Sequence, residues 1–511
     1  MSEVPILIAG AGPTGLILAL SLARRGVPFR LVSDAKGPGE HSRAMGVHAR
    51  TLEFYRQFGF GDEVVERGIK PDMVRLREGG GSGAPREVMH VKFSEMGEGI
   101  SPYPFMLTYP QDDHERFLID KLAEAGGRVE WETKLTGLTQ DADGVRASLT
   151  LGGGEVEEVS ASYLCGCDGA HSKVREALGV GFYGATYDQL FYVADVKIDG
   201  GFQTDIVVTL GEHILSMMMP VRSTGMQRLI GLIPPELSGR HDLTFEDIGS
   251  STERLIGIHV SEVHWFSSYR VHHRVADHFQ VGRAFLLGDA GHIHSPVGGQ
   301  GMNTGIGDAI NLGWKLAQVV QGRAPATLLD SYEAERIGFA RKLVSTTDRA
   351  FTPMVADGAR GEFTRRFLAP LLMGVATRFA AGRHALFRTV SQTEIHYGES
   401  PLSKGKAGHV HGGDRLPWVQ GEHDDNFAPL RSLDWQIHVY GTCNDGVREA
   451  CNRLHVPMHV FGWSAAAKAA GLKQDAVYLI RPDGYVSLAA NAEDAGEALA
   501  VFAGRAELRF S

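Results

Sequence analysis

Residues 288–303 bring together an acidic turn at Gly288 and Asp289, histidines at His292 and His294, a proline at Pro296 and a glycine-rich run from Gly298 to Gly301. The apolar run Ala284 to Leu287 before them reads as a buried strand, and a long amphipathic helix opens near Met302. A helix start of this kind presents unpaired N–H groups and the positive end of a dipole, which suits an anion. A second anion site stands at the beginning of the chain. The strand Val4 to Ala9 runs into Gly10, Gly12, Pro13, Thr14 and Gly15, and helical periodicity follows from Leu16 to Arg25. In that context Gly10 permits the tight turn, Gly12 lets backbone approach a pyrophosphate, and Gly15 lets helix pack on strand, so the spacing predicts dinucleotide binding.

Further candidates lie between these two loops. The strand Pro28 to Ser33 should end on an acidic residue that holds ribose hydroxyls, and either Asp34, one position late, or Ser33, through a weaker neutral bond, takes that role. Arg43 precedes an amphipathic helix carrying Leu52, Tyr55 and Phe58 on one face, and reads equally as a phosphate partner or a surface cation. His48 reads as a base or as a hydrogen-bonded structural residue. Asp168, after the strand Tyr163 to Cys167, sits where open α/β sheets bind ligands. His272, His273, His292 and His294 lack carboxylates at ligand spacing, so no metal site is expected.

The elements that position these residues alternate in character. Residues 71–106 read as a hairpin, Met73 to Leu76 and Val88 to Phe93, around Gly79 to Gly83, inserted into the nucleotide-binding part. Tyr109, Pro110 and Gln111 lead into a helix, Asp112 to Ala125, and strands follow near Val129 to Trp131 and Val145 to Leu149. Residues 181–270 are richer in β-structure, with strands at Phe191 to Ile198, Asp205 to Leu210, Ile214 to Met219 and Leu229 to Ile233. Met217 to Met219 suit adaptable packing, or a wall facing an apolar substrate. Ser400 to Asp414, rich in Gly, Lys and His, reads as a linker. Beyond it lie strands at Ile437 to Tyr440, Pro457 to Phe461 and Ala476 to Ile480, a turn at Arg481 to Gly484, and a helix from Ala492 to Phe502.

With 511 residues, 43% hydrophobic and 22% charged, the chain has the makings of a globular enzyme of several units. A net charge of -10 and the absence of basic blocks with interleaved aromatics argue against nucleic acid, and fit a cytoplasmic enzyme with small-molecule partners. No signal peptide is evident, because Pro5 to Ala9 runs straight into the glycine turn. The most apolar helical stretch, Phe367 to Ala381, is broken by Pro370 and Arg378 and falls short of the ~20 residues of a membrane span, so it reads as a buried or interface helix. Cys165, Cys167, Cys443 and Cys451 form neither a disulfide framework nor a zinc pattern.

The glycine turn at Gly10, the Asp168-Gly169 turn and the Gly288-Asp289 loop, in this order, resemble group A flavoprotein monooxygenases from the start to about residue 395. Trp265 to Arg270, Gly301 to Gly305, Asp308-Ala309 and Asn311 to Leu316 are similar to the phenol hydroxylase and polyketide aromatic hydroxylase branch. The resemblance implies FAD held by Gly10 to Gly15, Arg43, Gln111 and Asp289, with Gly299, Gly301, Met302 and Asn303 at its reacting end, NAD(P)H as reductant, and Asp168 in a turn associated with the FAD pyrophosphate and NAD(P)H. It implies a Rossmann-like FAD domain (residues 1–70, 107–180 and 271–395), an interleaved β-rich substrate domain (71–106 and 181–270) and a thioredoxin-like C-terminal domain (403–511). That last domain lacks CxxC, so packing or homodimer contacts are expected of it in place of redox work.

The activity so implied is hydroxylation of a phenolic or polyketide-like aromatic with NAD(P)H and O2, through a flavin hydroperoxide. A phenol with pKa ~10 is only about 0.1% ionised at pH 7, so deprotonation on the enzyme would help by up to ~4 kcal/mol. His48 and Tyr269 are the candidates for orienting or relaying that proton, and Pro296 shapes the loop. The rival readings are Baeyer-Villiger insertion, removal of a nitro or halogen group, and a non-catalytic flavoprotein that sequesters an aromatic ligand. A halogenase is disfavoured because its WxWxIP signature is missing.

Overall fold

The computed structural model describes residues 2–40, 44–79, 83–211, 215–240, 242–295, 297–355, 374, 378–422 and 424–510. Its first sheet is built on the strand Ser2–Ala9, whose residues Ile6, Leu7 and Ile8 are fully buried. Such a continuous apolar run belongs to a strand covered on both faces. Parallel neighbours flank it, Phe29–Val32 on one side and Val156–Gly166 on the other, and Ala284–Leu286 pairs beyond the latter. All four strands therefore end at the same edge, where the Gly10, Ser33, Cys167 and Gly288 turns leave the sheet.

The second eight-stranded sheet is mainly antiparallel and gathers distant segments. Phe182–Ile198 and Val260–Ala276, 17 residues each, form its spine. The hairpin Met73–Glu78 and Arg86–Lys92 joins it through a parallel pairing with Ile206–Leu210, so the early insertion completes a later sheet. Residues 80–82 of the glycine tract lie outside the described residues, as do 367–373 and 375–377 of the stretch Phe367 to Ala381. The helix Phe245–Ile256 was not anticipated, although Thr244 and Asp247 form a capping box that signals its start.

A third sheet of six strands occupies the C-terminal region. It corrects one expectation. The segment Ser400 to Asp414 is not a linker, because Lys404–Ala407 pairs in parallel with Val486–Ala490 and in antiparallel with Val410–His411. Its composition misled because a short, exposed strand is held on both sides by backbone bonds that need no apolar alternation. Four cysteines are free, with Cys165, Cys167 and Cys451 buried. Among the described residues no helix is long and apolar enough to cross a membrane.

Candidate active site

One cleft of about 820 Å³ runs from the first glycine turn, past Asp289, along Gly298 to Met302, and onto the face of the second sheet. Its ends carry complementary features. The helix Pro13–Ala23 begins at Gly12 and the helix Gly301–Val320 at Gln300, and neither start has a side-chain cap. Some other helix starts are closed by a side chain, as Lys173–Ala177 is by Ser172 and Asp445–Leu454 by Asn444, while others such as Gly61–Arg67 and Ala380–Val390 are open, so it is the position of these two starts on the cleft that matters. Uncapped starts along a cleft leave N–H groups and dipole charge free for an anionic ligand.

The sharp turn at Gly10 depends on its lack of a side chain. Its φ is +105°, and a Cβ there would sit 2.2 Å from the Cys167 carbonyl oxygen. Gly12, Pro13 and Thr14 line the cleft, and a Cβ on Gly12 would meet nothing within 4 Å. Gly15 is closed off, since a Cβ there would strike the Gly10 carbonyl. Gln111 also lines the cleft, bonded through Nε2 to Glu115 at 2.8 Å. The Glu115 carboxyl, raised by burial, stands on the wall beside Asp112.

At the far end of the second strand neither candidate reaches the cleft wall. Ser33 is buried in backbone bonding to Glu130 and Thr133, and Asp34 is exposed away from the lining. Asp168 is likewise set back. Its Oδ2 accepts the Lys173 and Val174 N–H groups at 2.7 and 3.1 Å, while Gly169 and Ala170 form the wall. Burial raises the Asp168 carboxyl, and the Ser172 side chain and these N–H groups oppose the rise. Arg43 and Pro296 lie outside the described residues.

Asp289 opens directly onto the cleft. Desolvation raises its carboxyl, opposed by His292 and reinforced by Asp308. The turn that carries it is held by a network the sequence alone did not single out. Asp308, inside the Gly301 helix, accepts from the Gly288 N–H at 2.9 Å, from His292 Nε2 at 2.7 Å and from Arg336 Nε at 2.6 Å. Burial alone would raise the Asp308 carboxyl, but Arg336 and His292 hold it below the usual range. Helix spacing put Asp308 on a buried face, and a buried carboxylate there was the signal to follow.

The glycine loop is fixed from below by His48 and Asn303. His48 Nε2 donates to the Gly298 carbonyl at 2.7 Å, and burial lowers its pKa to about 4 against the pull of the Gly298 and Gly299 carbonyls. The Asn303 amide donates to the Gly46 and Gly299 carbonyls at 2.9 and 2.8 Å, and its oxygen accepts from the His48 N–H and the Thr51 hydroxyl. Both side chains are buried behind the loop, while Gly299, Gly301 and Met302 form the cleft surface itself. Gly298 and Gly299, with φ of +74° and +62°, let the loop turn there.

Across the cleft the second sheet presents alternating side chains. Met217 and Met219 face the cleft, whereas Met218 enters the core with Leu229 and Ile248. Phe93, Ile206 and Ile230 extend the apolar wall. Tyr269 stands at its edge, its ring 6.0 Å from Phe191. An elongated slot with two uncapped helix starts, an open glycine backbone and an apolar far wall fits a dinucleotide that carries a planar ring system beside a second apolar molecule.

Known proteins agree with this geometry. Residues 3–347 match the FAD binding domain family. The chain is 36% identical over 414 residues to a 6-methylpretetramide 4-monooxygenase of Streptomyces rimosus, spanning 78% of this chain and 71% of that one. It is 32% identical to a flavin-dependent monooxygenase of Mycobacteroides abscessus over 94% and 96% of the two chains. The solved anhydrotetracycline hydroxylase OxyS of Streptomyces rimosus superposes with a TM-score of 0.78 at 28% identity, covering 98% of each chain. The mixed α/β fold of several sheets, the cleft and these relatives agree that the chain belongs to the group A FAD-dependent aromatic monooxygenases.

Proposed function

We propose that this FAD- and NAD(P)H-dependent monooxygenase hydroxylates a multi-ring, polyketide-like phenol. The observation that carries the reading is the apolar wall of Phe93, Met217 and Met219, which shares one cavity with the Gly299 to Met302 loop. Relatives acting on 6-methylpretetramide and anhydrotetracycline support a substrate of that size. Bound FAD supplies the oxygen-activating redox chemistry. The protein's part is to hold the cofactor, orient the aromatic ring and keep water out.

In this reading Gly10 to Gly15 and the Pro13 helix start hold the pyrophosphate, with Arg43, Gln111 and Asp289 along the cofactor's length. Ser33 or Asp34 would serve the ribose only by a small shift of the turn, since neither lines the cleft. Backbone N–H groups from Gly299 to Met302 favour negative charge at the flavin's pyrimidine end. His48 and Asn303 serve by fixing that loop, and Pro296 by shaping it. Tyr269 is the group positioned to orient a phenol hydroxyl. The Asp168 turn serves the FAD pyrophosphate and the nicotinamide reductant. The six-stranded C-terminal sheet, with Gln436–Tyr440 parallel to Met458–Phe461 and antiparallel to Val477–Ile480, supports a thioredoxin-like unit that packs against the rest.

A screen of phenols and polycyclic quinones for stimulated NAD(P)H oxidation, with product mass, tests this. A gain of one oxygen with the ring intact is expected. A lactone, released nitrite or halide, or binding with no NAD(P)H consumption would overturn it. Asp289→Ala should raise the FAD Kd about tenfold or more, the scale of a lost charge-assisted contact, read as flavin per protein after gel filtration.

A further inference from the structure

The strands Phe182–Ile198 and Val260–Ala276 pair along most of their length, but the register breaks between Thr186 and Leu190. Thr186 faces His272 and Leu190 faces Arg270, so residues 187–189 bulge out opposite Val271 alone. Bulges of this kind re-aim side chains beside binding sites. This one is anchored, because the buried Tyr187 donates its hydroxyl to Asp348 at 2.6 Å. Its backbone and flank then hold two residues of the facing strand. The Asp188 carbonyl accepts from Arg270 at 2.6 Å, and the Thr186 hydroxyl lies 2.7 Å from His272 Nδ1.

Arg270 and His272 both line the cleft that holds the methionine wall. The partners of Arg270 are neutral carbonyls, Asp188 at 2.6 Å and Ser238 at 3.4 Å, and among the described residues it forms no ion pair. Its charge is oriented but not neutralised, and several of its five N–H donors stay available. With Nδ1 occupied by Thr186, the His272 ring has Nε2 left for a ligand. Burial first, and then the nearby Arg274, lower the His272 pKa, so its ring is a neutral hydrogen-bonding group at physiological pH and Arg270 carries the positive charge of this rim.

We propose that Arg270 and His272 form an oxyanion-recognition rim that selects an aromatic substrate bearing an ionised carboxylate or enolate. The proposal rests on reading the cleft as the aromatic site. A guanidinium held by a carbonyl clamp offers charge-assisted bonds to such an oxygen, and an imidazole beside it completes the contact. The phosphates of the nicotinamide reductant share the same oxyanion chemistry, so the test separates the two sources.

The probes are 1-hydroxy-2-naphthoate and its neutral amide, 1-hydroxy-2-naphthamide, bound to the FAD-loaded enzyme and followed by flavin fluorescence. The wild type should bind the naphthoate about tenfold tighter than the amide, and Arg270→Gln should abolish that preference while barely changing amide affinity or flavin content. Arg270→Lys should keep part of it, and Thr186→Val, which frees the His272 ring, should lose about threefold on the naphthoate alone. Equal losses on both probes, or none, would overturn the proposal. A weaker NAD(P)H Kd with unchanged naphthoate binding would hand the rim to the reductant and overturn the substrate assignment. Failure of both probes to bind the wild type would overturn the aromatic-cleft reading, and this proposal with it.

Discussion

His48 shows how a side chain serves the cleft without lining it. Its ring is neutral at physiological pH because burial lowers its pKa from 6.5 to about 4, and its N–H holds the Gly298 carbonyl in place. The consequence for stability has a definite sign. Above pH 6.5 the ring is neutral folded and unfolded, so nothing is lost; between 6.5 and 4 only the unfolded state takes the proton, and stability falls. His294, lowered to about 4 by burial, adds to the same window. Urea unfolding at pH 7 and pH 5 should therefore show a loss that His48→Gln reduces, since glutamine offers a donor that does not titrate. His48→Ala leaves the Gly298 carbonyl unpaired and should weaken FAD binding about tenfold; unchanged flavin retention would count against the clamp.

At the scale of elements, the site depends on how closely the Pro13 and Gly301 helices approach. A Cβ on Gly305 would lie 2.3 Å from Thr14 Oγ1 and 3.1 Å from Gly288 Cα, so both cleft turns press on one helix position. Gly305→Ala gains up to about 1 kcal/mol of helix propensity but meets an overpacking cost of about 1–3 kcal/mol, and the clash should win. Thermal unfolding should show a lowered Tm. Adding Thr14→Ala should recover part of the loss by removing the hydroxyl, though not the Gly288 contact. If Gly305→Ala is neutral alone, the helices are less tightly opposed than described.

At the scale of the whole molecule, a buried ionic cluster ties the C-terminal region to the FAD-binding part. Glu335 accepts from Arg481 at 2.6 and 2.9 Å, from Lys315 at 2.8 Å, and from Asn311 and Ser400 at 2.6 Å each, with Glu335, Lys315 and Arg481 all essentially inaccessible. Burial alone would raise the Glu335 carboxyl, but Arg481 and Lys315 drive it far below the usual range. Asp483, on the same turn as Arg481, accepts from the Trp314 indole at 3.0 Å. Glu335→Gln leaves the buried Lys315 without its counter-ion and Arg481 with Asp483 alone, and should cost about 3–5 kcal/mol in denaturant unfolding. A loss under about 1 kcal/mol would mean that water reaches the cluster.

The sequence by itself determined the cofactor class and the main turns, because those rest on local rules. A strand, Gly10 to Gly15 and a helix in succession leave one backbone path, whereas the split of Met217 and Met219 to the cleft from Met218 to the core is seen only in the folded sheet. Tertiary structure decided the roles of side chains whose partners lie far along the chain. His48 meets Gly298 across 250 positions, Arg270 meets Asp188 across a bulge with no compositional mark, and Ser400 meets Glu335 from a stretch that reads as a linker. Asp168 and Ser33 sit at the expected strand ends yet turn to backbone N–H groups there. Periodicity and spacing report which face of an element is buried; they do not report which distant group is waiting on that face, and that group decides whether a polar side chain meets ligand or protein.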